Sequence, residues 1–172
     1  MKQTHFQQVA AFTTLRLNAG RSKDEFVSLP TKPRAMTKQE VKKFIGLCGS
    51  ELVELARTVT NSNKEATEFV RGCIGMDPSA NEPEFKDEID VISEMVDSIV
   101  DLKYYADDLA AGHGFPIDRV FAEVQRANMS KTFPDGTFHL KEISPGIFKV
   151  AKPPIWKPPK IRPIIEEILN DE

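Results

Sequence analysis

The sequence predicts an all-α fold with a four-helix core and a short C-terminal extension that is irregular or holds a hairpin. Apolar residues recur at three- and four-residue spacings through four segments, the rhythm of helices that bury one face. Start and stop signals flank those segments, among them a Thr37-Lys38-Gln39-Glu40 capping box and a Gly112-His113-Gly114 break. After Phe133-Pro134-Asp135-Gly136 the character changes to short alternating runs and a proline-rich stretch. A bundle of four helices, with acids on the second and third, is the simplest arrangement of such segments. At 172 residues the chain fits one domain, or one with an appended tail, and is long enough to bury a real core. Residues 1–132 are expected to form the helical domain and residues 133–172 its extension.

The first segment runs from about Thr4 to Leu17, where Phe6, Val9, Ala10, Phe12, Thr13 and Leu17 keep a helical rhythm. Asn18, Gly20, Pro30 and Pro33 then mark a loop. The second helix should begin at Thr37, whose hydroxyl can take one free backbone N–H while Glu40 takes another. Val41, Phe44, Ile45, Cys48, Leu52, Leu55, Ala56 and Val59 form its apolar stripe. From Asn61 to Pro83 the pattern weakens at Gly72, Gly75, Asp77-Pro78 and Asn81-Glu82-Pro83, which reads as a connection with a short helix around Ala66 to Val70. A long acidic helix is expected from about Glu84 to Ala111, ended by glycine at 112 and 114. A fourth runs from Pro116 to Lys131, with Ile117, Phe121 and Val124 on one stripe. Thr137 to Leu140 and Ile147 to Val150 suggest a small hairpin. The stretch Lys152-Pro153-Pro154-Ile155-Trp156-Lys157-Pro158-Pro159 should run extended, strapping Trp156 onto its own domain or a second subunit. Pro163 to Leu169 can form a last short helix, with Pro163 in its first turn.

Composition narrows the partners. With 40% hydrophobic and 28% charged residues the chain resembles ordinary soluble globular proteins. A net charge of -3 supplies no global basic field, so a nucleic-acid polymer is not expected as a partner. No apolar run approaches the roughly 18 residues of a membrane span, and Met1 to Gln8 is polar rather than signal-like. A cytoplasmic protein with no membrane contact is expected. Cys48 and Cys73 lie at no metal-ligand spacing and read as reduced thiols. His5, His113 and His139 are scattered, with no Cys or His partner at ligand spacing.

Two groups of residues could carry chemistry. Glu94, Asp97 and Asp101 are three and then four residues apart, which stacks three carboxylates on one helix face, and Asp90 and Asp108 continue the stripe. Like charges at these spacings each cost a few tenths of a kcal/mol. A hard divalent cation such as Mg2+, which selects carboxylate oxygen, would relieve them; a solvated helix face opposite Ile89, Ile92, Val96 and Ile99 is the other reading. Glu51 and Glu54 likewise flank the stripe of the second helix, facing either a pocket or water. At the end of the fourth helix, Asn128 and Lys131 continue an apolar stripe. They could meet a ligand phosphate, or simply form a helix end where lysine suits the dipole.

Glu51-Leu52-Val53-Glu54 followed by Glu94-Met95-Val96-Asp97 reproduces an ExxE and an ExxD on successive helices. In an all-helical chain this order resembles the MazG-like nucleoside triphosphate pyrophosphohydrolases, a group that also contains dimeric dUTPases and phosphoribosyl-ATP pyrophosphohydrolase. The run from Phe121 to Lys131, FAEVQRANMSK, is similar to the FAEVHRxNxSK segment of the phosphoribosyl-ATP pyrophosphohydrolase-like branch. Asp135-Gly136-Thr137 and Trp156-Lys157-Pro158-Pro159 are similar to its DGK and W/Y-x-P-P segments. Two positions depart from the pattern: Ser50 stands where an acid is common, and Gln125 where the branch has His.

The resemblance implies a Mg2+-dependent enzyme, with Mn2+ able to substitute, that cleaves a nucleoside triphosphate between the α and β phosphates. By position it implies Glu51, Glu54, Glu94, Asp97 and Asp101 as metal ligands and Asn128 and Lys131 as contacts to the nucleotide; with Ser50 not acidic, Glu54 is the choice for the residue that also activates water. It further implies a homodimer or a dimer of dimers. Two alternatives stay open: phosphoribosyl-ATP pyrophosphohydrolase itself, and an inactive helical interaction module, which Ser50 keeps in play. A di-metal redox bundle is disfavoured, since no Glu-x-x-His pair is present.

Overall fold

Short polar side chains set where the helices start. In the computed structural model, which describes residues 3–74, 84–144 and 147–170, the Thr4 hydroxyl accepts the Gln7 N–H and opens helix α1, His5–Leu17. Thr37 does the same for Glu40 at the start of α2, Lys38–Ala56, and the Glu40 carboxylate accepts the Thr37 N–H at 2.8 Å, completing the expected capping box. Ser62 caps α3, Asn63–Cys73, through the Glu65 N–H. The remaining elements are α4, Glu88–Gly112; α5, Ile117–Met129; strands β1, Leu140–Ser144, and β2, Ile147–Val150; and α6, Ile161–Asn170. A 3-10 turn, Lys23–Glu25, follows α1. The fold is all-α apart from the hairpin.

Several boundaries differ from expectation. The short helix expected around Ala66 to Val70 extends to eleven residues because Ser62 supplies a cap upstream. Helix α4 starts at Glu88 rather than near Glu84, since Asp87 Oδ1 accepts the N–H groups of Ile89 and Asp90 at 2.8 and 3.0 Å and so fixes the first turn. Helix α5 ends at Met129, leaving Lys131 in the turn beyond it. The first strand lies at Leu140–Ser144, not Thr137–Leu140. Asp135 Oδ1 accepts both the N–H and the hydroxyl of Thr137, and the Phe133 N–H bonds the Thr137 carbonyl, so those residues close a turn instead of pairing. Gly136 occupies that turn at φ +79°, a conformation costly for other residues. The breaks at Gly75, Asp77-Pro78 and Asn81-Glu82-Pro83 lie outside the described residues.

The chain divides into two compact units, Pro33–Val100 and Met1–Lys32 with Asp101–Glu172. In the first, α2 packs on α3, and Ala56 of α2 and Ala66 of α3 are buried. The Met36 N–H meets Met95 Sδ at 3.2 Å, tying the entry of α2 to α4. Cys48 is half-buried and Cys73 exposed, both free thiols.

In the second unit α5 is the hub, flanked by α1 and α6. Phe121 stacks on His5 at 4.0 Å, and Gln125 Nε2 donates to the Gln8 carbonyl of α1 at 2.8 Å. The amide at the position where the resembling branch has His is thus a helix-to-helix tie. Phe138 is fully buried beside Phe12. Buried Asn18 closes the loop after α1: its Oδ1 accepts the Val27 N–H at 2.7 Å, and its Nδ2 donates to the carbonyls of Thr14 and Val27. Arg119 pairs with Glu167 of α6 at 2.7 Å.

Candidate active site

The sequence places both acid pairs on helices with their side chains one turn apart, and the structure keeps them there. Glu51 and Glu54 lie on α2, and Glu94 and Asp97 on α4, all exposed. Asp101 follows Asp97 by one turn of α4 and is exposed as well. Ser50, in the place of a common acid, turns its hydroxyl back onto the Leu47 carbonyl at 2.7 Å, so it contributes no charge and its oxygen is engaged within α2.

Glu94 and Asp97 line an open cleft of about 480 Å3 with Glu84, Phe85, Lys86, Asp90 and Ser93. One wall is fixed by Asp90, whose carboxylate accepts the Lys86 backbone N–H at 3.0 Å. Of the acidic stripe of α4, Asp90, Glu94 and Asp97 face this open space, and Asp101 does not line it. Glu84 lies before α4 and six residues ahead of Asp90, off the helical spacing, so no sequence signal ties it to the stripe. Among the described residues no three His, Cys, Asp or Glu side chains are gathered as a ready-made metal set. The pairs on α2 and α4 stand as pairs.

Asn128 and Lys131 are brought together. Lys131 Nζ donates to Asn128 Oδ1 at 2.7 Å, and both side chains are half-buried. Burial pushes the Lys131 ammonium below the ordinary lysine range, and the charges of Lys152 and Lys149 push it the same way. Its Nζ also lies 5.8 Å from the centre of the Phe12 ring and 6.0 Å from that of Trp156. The proline-rich strap carries Trp156 to its own unit, where the indole N–H donates to the Ala127 carbonyl at 2.8 Å. Lys152 covers the same indole at 4.1 Å. Neither Lys149 nor Lys152 was picked out beforehand; the signal was a lysine four residues ahead of the chain's one tryptophan.

Further along α5, the Glu123 carboxylate accepts from the Arg126 guanidinium at 2.7 Å and from the Lys160 N–H at 2.7 Å. The Arg126 bonds first, and that N–H second, hold it at about 2. This pairing fastens α5 to the entry of α6 and gives Glu123 a structural part in the FAEVQR run.

No helix among the described residues is long and apolar enough to cross a membrane. The phosphoribosyl-ATP pyrophosphohydrolase family profile matches residues 27–128, a span that holds both acid pairs, Asp101 and Asn128. A crystal structure of a protein from Exiguobacterium sp. 255-15, provisionally described as an NTP pyrophosphohydrolase, has the same fold. It aligns with a TM-score of 0.73 over 98% of this chain and 96% of its own, at 22% identity. A search of curated proteins gives no match. The chain belongs to the phosphoribosyl-ATP pyrophosphohydrolase family, within the MazG-like superfamily, and is a hydrolase acting on phosphoric anhydrides.

Proposed function

We propose that the protein is a Mg2+-dependent pyrophosphohydrolase that cleaves a (deoxy)nucleoside triphosphate between the α and β phosphates, releasing the monophosphate and pyrophosphate. The observation that carries this reading is the pair of carboxylate pairs, Glu51 with Glu54 and Glu94 with Asp97, each on one helix face. The second pair lines the open cleft of about 480 Å3.

The donor set suits the cation. All five side chains offer oxygen only, which a hard divalent ion selects. Mg2+ keeps several waters and commonly takes one or two carboxylates plus substrate phosphates, so pairs serve where a closed protein cage is not needed. Glu51, Glu54, Glu94, Asp97 and Asp101 would hold it, with Mn2+ as a substitute, and when bound it supplies charge neutralisation and a more acidic water. Glu54 would accept the proton of the attacking water at its carboxylate. Asn128 orients Lys131 through their 2.7 Å bond, and the ammonium would set a positive charge against a phosphate oxygen.

The same reading includes a second copy of the chain. Along α4, Ile89 is 71%, Val96 53% and Val100 56% exposed, and on α2 Ile45, Leu52 and Leu55 are exposed too. Each forgoes about 1 kcal/mol or more of the stabilisation that full burial gives. A homodimer, or a dimer of dimers, would cover them. The free thiols of Cys48 and Cys73 fit a cytoplasmic setting, and neither a nucleic-acid polymer nor a membrane enters the reading.

Phosphoribosyl-ATP is the second candidate substrate, favoured by the family match over residues 27–128. The test is product analysis over the common NTPs, dNTPs and phosphoribosyl-ATP with Mg2+ or Mn2+, separating pyrophosphate from orthophosphate. Glu94→Ala and Asp97→Ala should each lower pyrophosphate release at least a hundredfold, on the scale of losing a group that stabilises the transition state. Unchanged release in both would refute the site.

A further inference from the structure

We propose that Lys149 and Lys152 join Lys131 beside the Trp156 indole to form an anion subsite that grips the polyphosphate tail of the substrate. The inference rests on the pyrophosphohydrolase reading for its ligand and on separate residues for its evidence.

Two hydrogen bonds hold the frame in the free protein. Trp156 is held by its bond to the Ala127 carbonyl, and Lys131 by its bond to Asn128. Lys152 lies over the indole at 4.1 Å and Lys131 beside it at 6.0 Å. Lys149 sits on β2 directly across from Lys141 of β1, a like-charge pair of the kind that weakens a hairpin. Among the described residues none of Lys131, Lys141, Lys149 and Lys152 has a carboxylate within ion-pair distance. Lys131 and Lys152 thus meet at the indole without an ion-paired carboxylate, and beside the burial that chiefly lowers the Lys131 ammonium the charges of Lys152 and then Lys149 push it the same way.

A multiply charged anion removes that repulsion. Ammonium groups act as point charges, each with three donors and no demand for a planar partner, so they suit the many oxygens of a phosphate chain. The half-burial of Lys131 and the aromatic floor lower the local polarity, which strengthens the attraction. A triphosphate, with more charge to share over three ammonium groups, should be preferred to a compact dianion.

Trp156 is the chain's single tryptophan, so its emission reports on this subsite alone. The experiment titrates the full chain with inorganic tripolyphosphate in EDTA at fixed ionic strength, with calorimetry in parallel for binding that leaves emission unchanged. Wild-type protein should bind saturably, and at least tenfold tighter than it binds sulfate. Lys149→Met and Lys152→Met, which keep the aliphatic stems, should each weaken binding about tenfold, the scale of one charge-assisted contact. Lys64→Met on α3 removes the same charge and should leave affinity unchanged. Circular dichroism confirms that each variant is folded. No saturable binding, an equal response to sulfate, or Lys149→Met and Lys152→Met variants that bind like wild type would overturn the subsite. Binding as expected without hydrolysis of any nucleotide would keep the subsite and sink the catalytic reading. Hydrolysis with an unaltered KM in Lys152→Met would do the reverse.

Discussion

The end of α5 offers a sharp test of how the strap is held. The Ala127 carbonyl lies in the last turn, where no further helical N–H is available, and Ala127 is 1% exposed. It accepts two side-chain donors instead, the Trp156 indole N–H at 2.8 Å and the Ser130 hydroxyl at 2.8 Å. Trp156→Phe removes one donor but leaves the carbonyl satisfied, so the cost should be that of a single neutral hydrogen bond, about 1 kcal/mol. Ser130→Ala should cost a similar amount for the same reason. Only the double variant strands a buried carbonyl, which adds a desolvation penalty of about 1–3 kcal/mol beyond the sum. Urea unfolding followed by far-UV circular dichroism measures all three, since helix content does not depend on the lost fluorophore. A double variant no worse than the sum of the singles would refute the idea that this carbonyl needs either partner.

Three further outcomes follow from the same geometry. Asn18→Asp loses two amide donations to carbonyls and sets a buried carboxylate against them, at a cost of about 3 kcal/mol at neutral pH. Acidification should recover part of it, because the neutral acid can donate again; thermal melts across pH would show a flat deficit if the reasoning were wrong. Glu40 is held at about 2, first by the Arg34 guanidinium and then by the Thr37 N–H and hydroxyl. A depressed carboxylate stabilises above its unfolded value of 4.5 and loses that contribution as pH falls toward about 2. The melting-temperature gap between wild type and Glu40→Gln should close across that window, and a gap that persists to pH 2 would count against the charge pairing with Arg34. Gly136→Ala forces a side chain into φ +79° and should cost about 1–2 kcal/mol, read as a lower urea midpoint.

The helices were legible because their start signals are local. Thr37 needed only Glu40 three places ahead, and its box formed; Thr4 makes a like box with Gln7, although the sequence showed α1 through its apolar rhythm alone. Errors arose where a nearby side chain outside the periodic stripe took control. Asp87 moved the start of α4, and Asp135 drew Thr137 out of the expected strand. For the site, spacing along one helix was readable, which is why Glu51 with Glu54 and Glu94 with Asp97 emerged as pairs. The meeting of Lys131 and Lys152 at Trp156 was not, because it brings a helix end and a strap together over a separation with no periodicity. Asn128 and Lys131 emerged from a helical extrapolation that their actual turn only approximates.

The clamp that Asn18 makes on Val27 has a practical corollary for altering the molecule. One side chain sews shut the base of an exposed excursion of the backbone, so what lies beyond the stitch bears little load. Lengthening a closed excursion is cheap, roughly 0.6 kcal/mol for each doubling. Extra residues spliced between Arg21 and Ser22 should be carried without unpicking α1, which makes this the natural berth for a genetically encoded label.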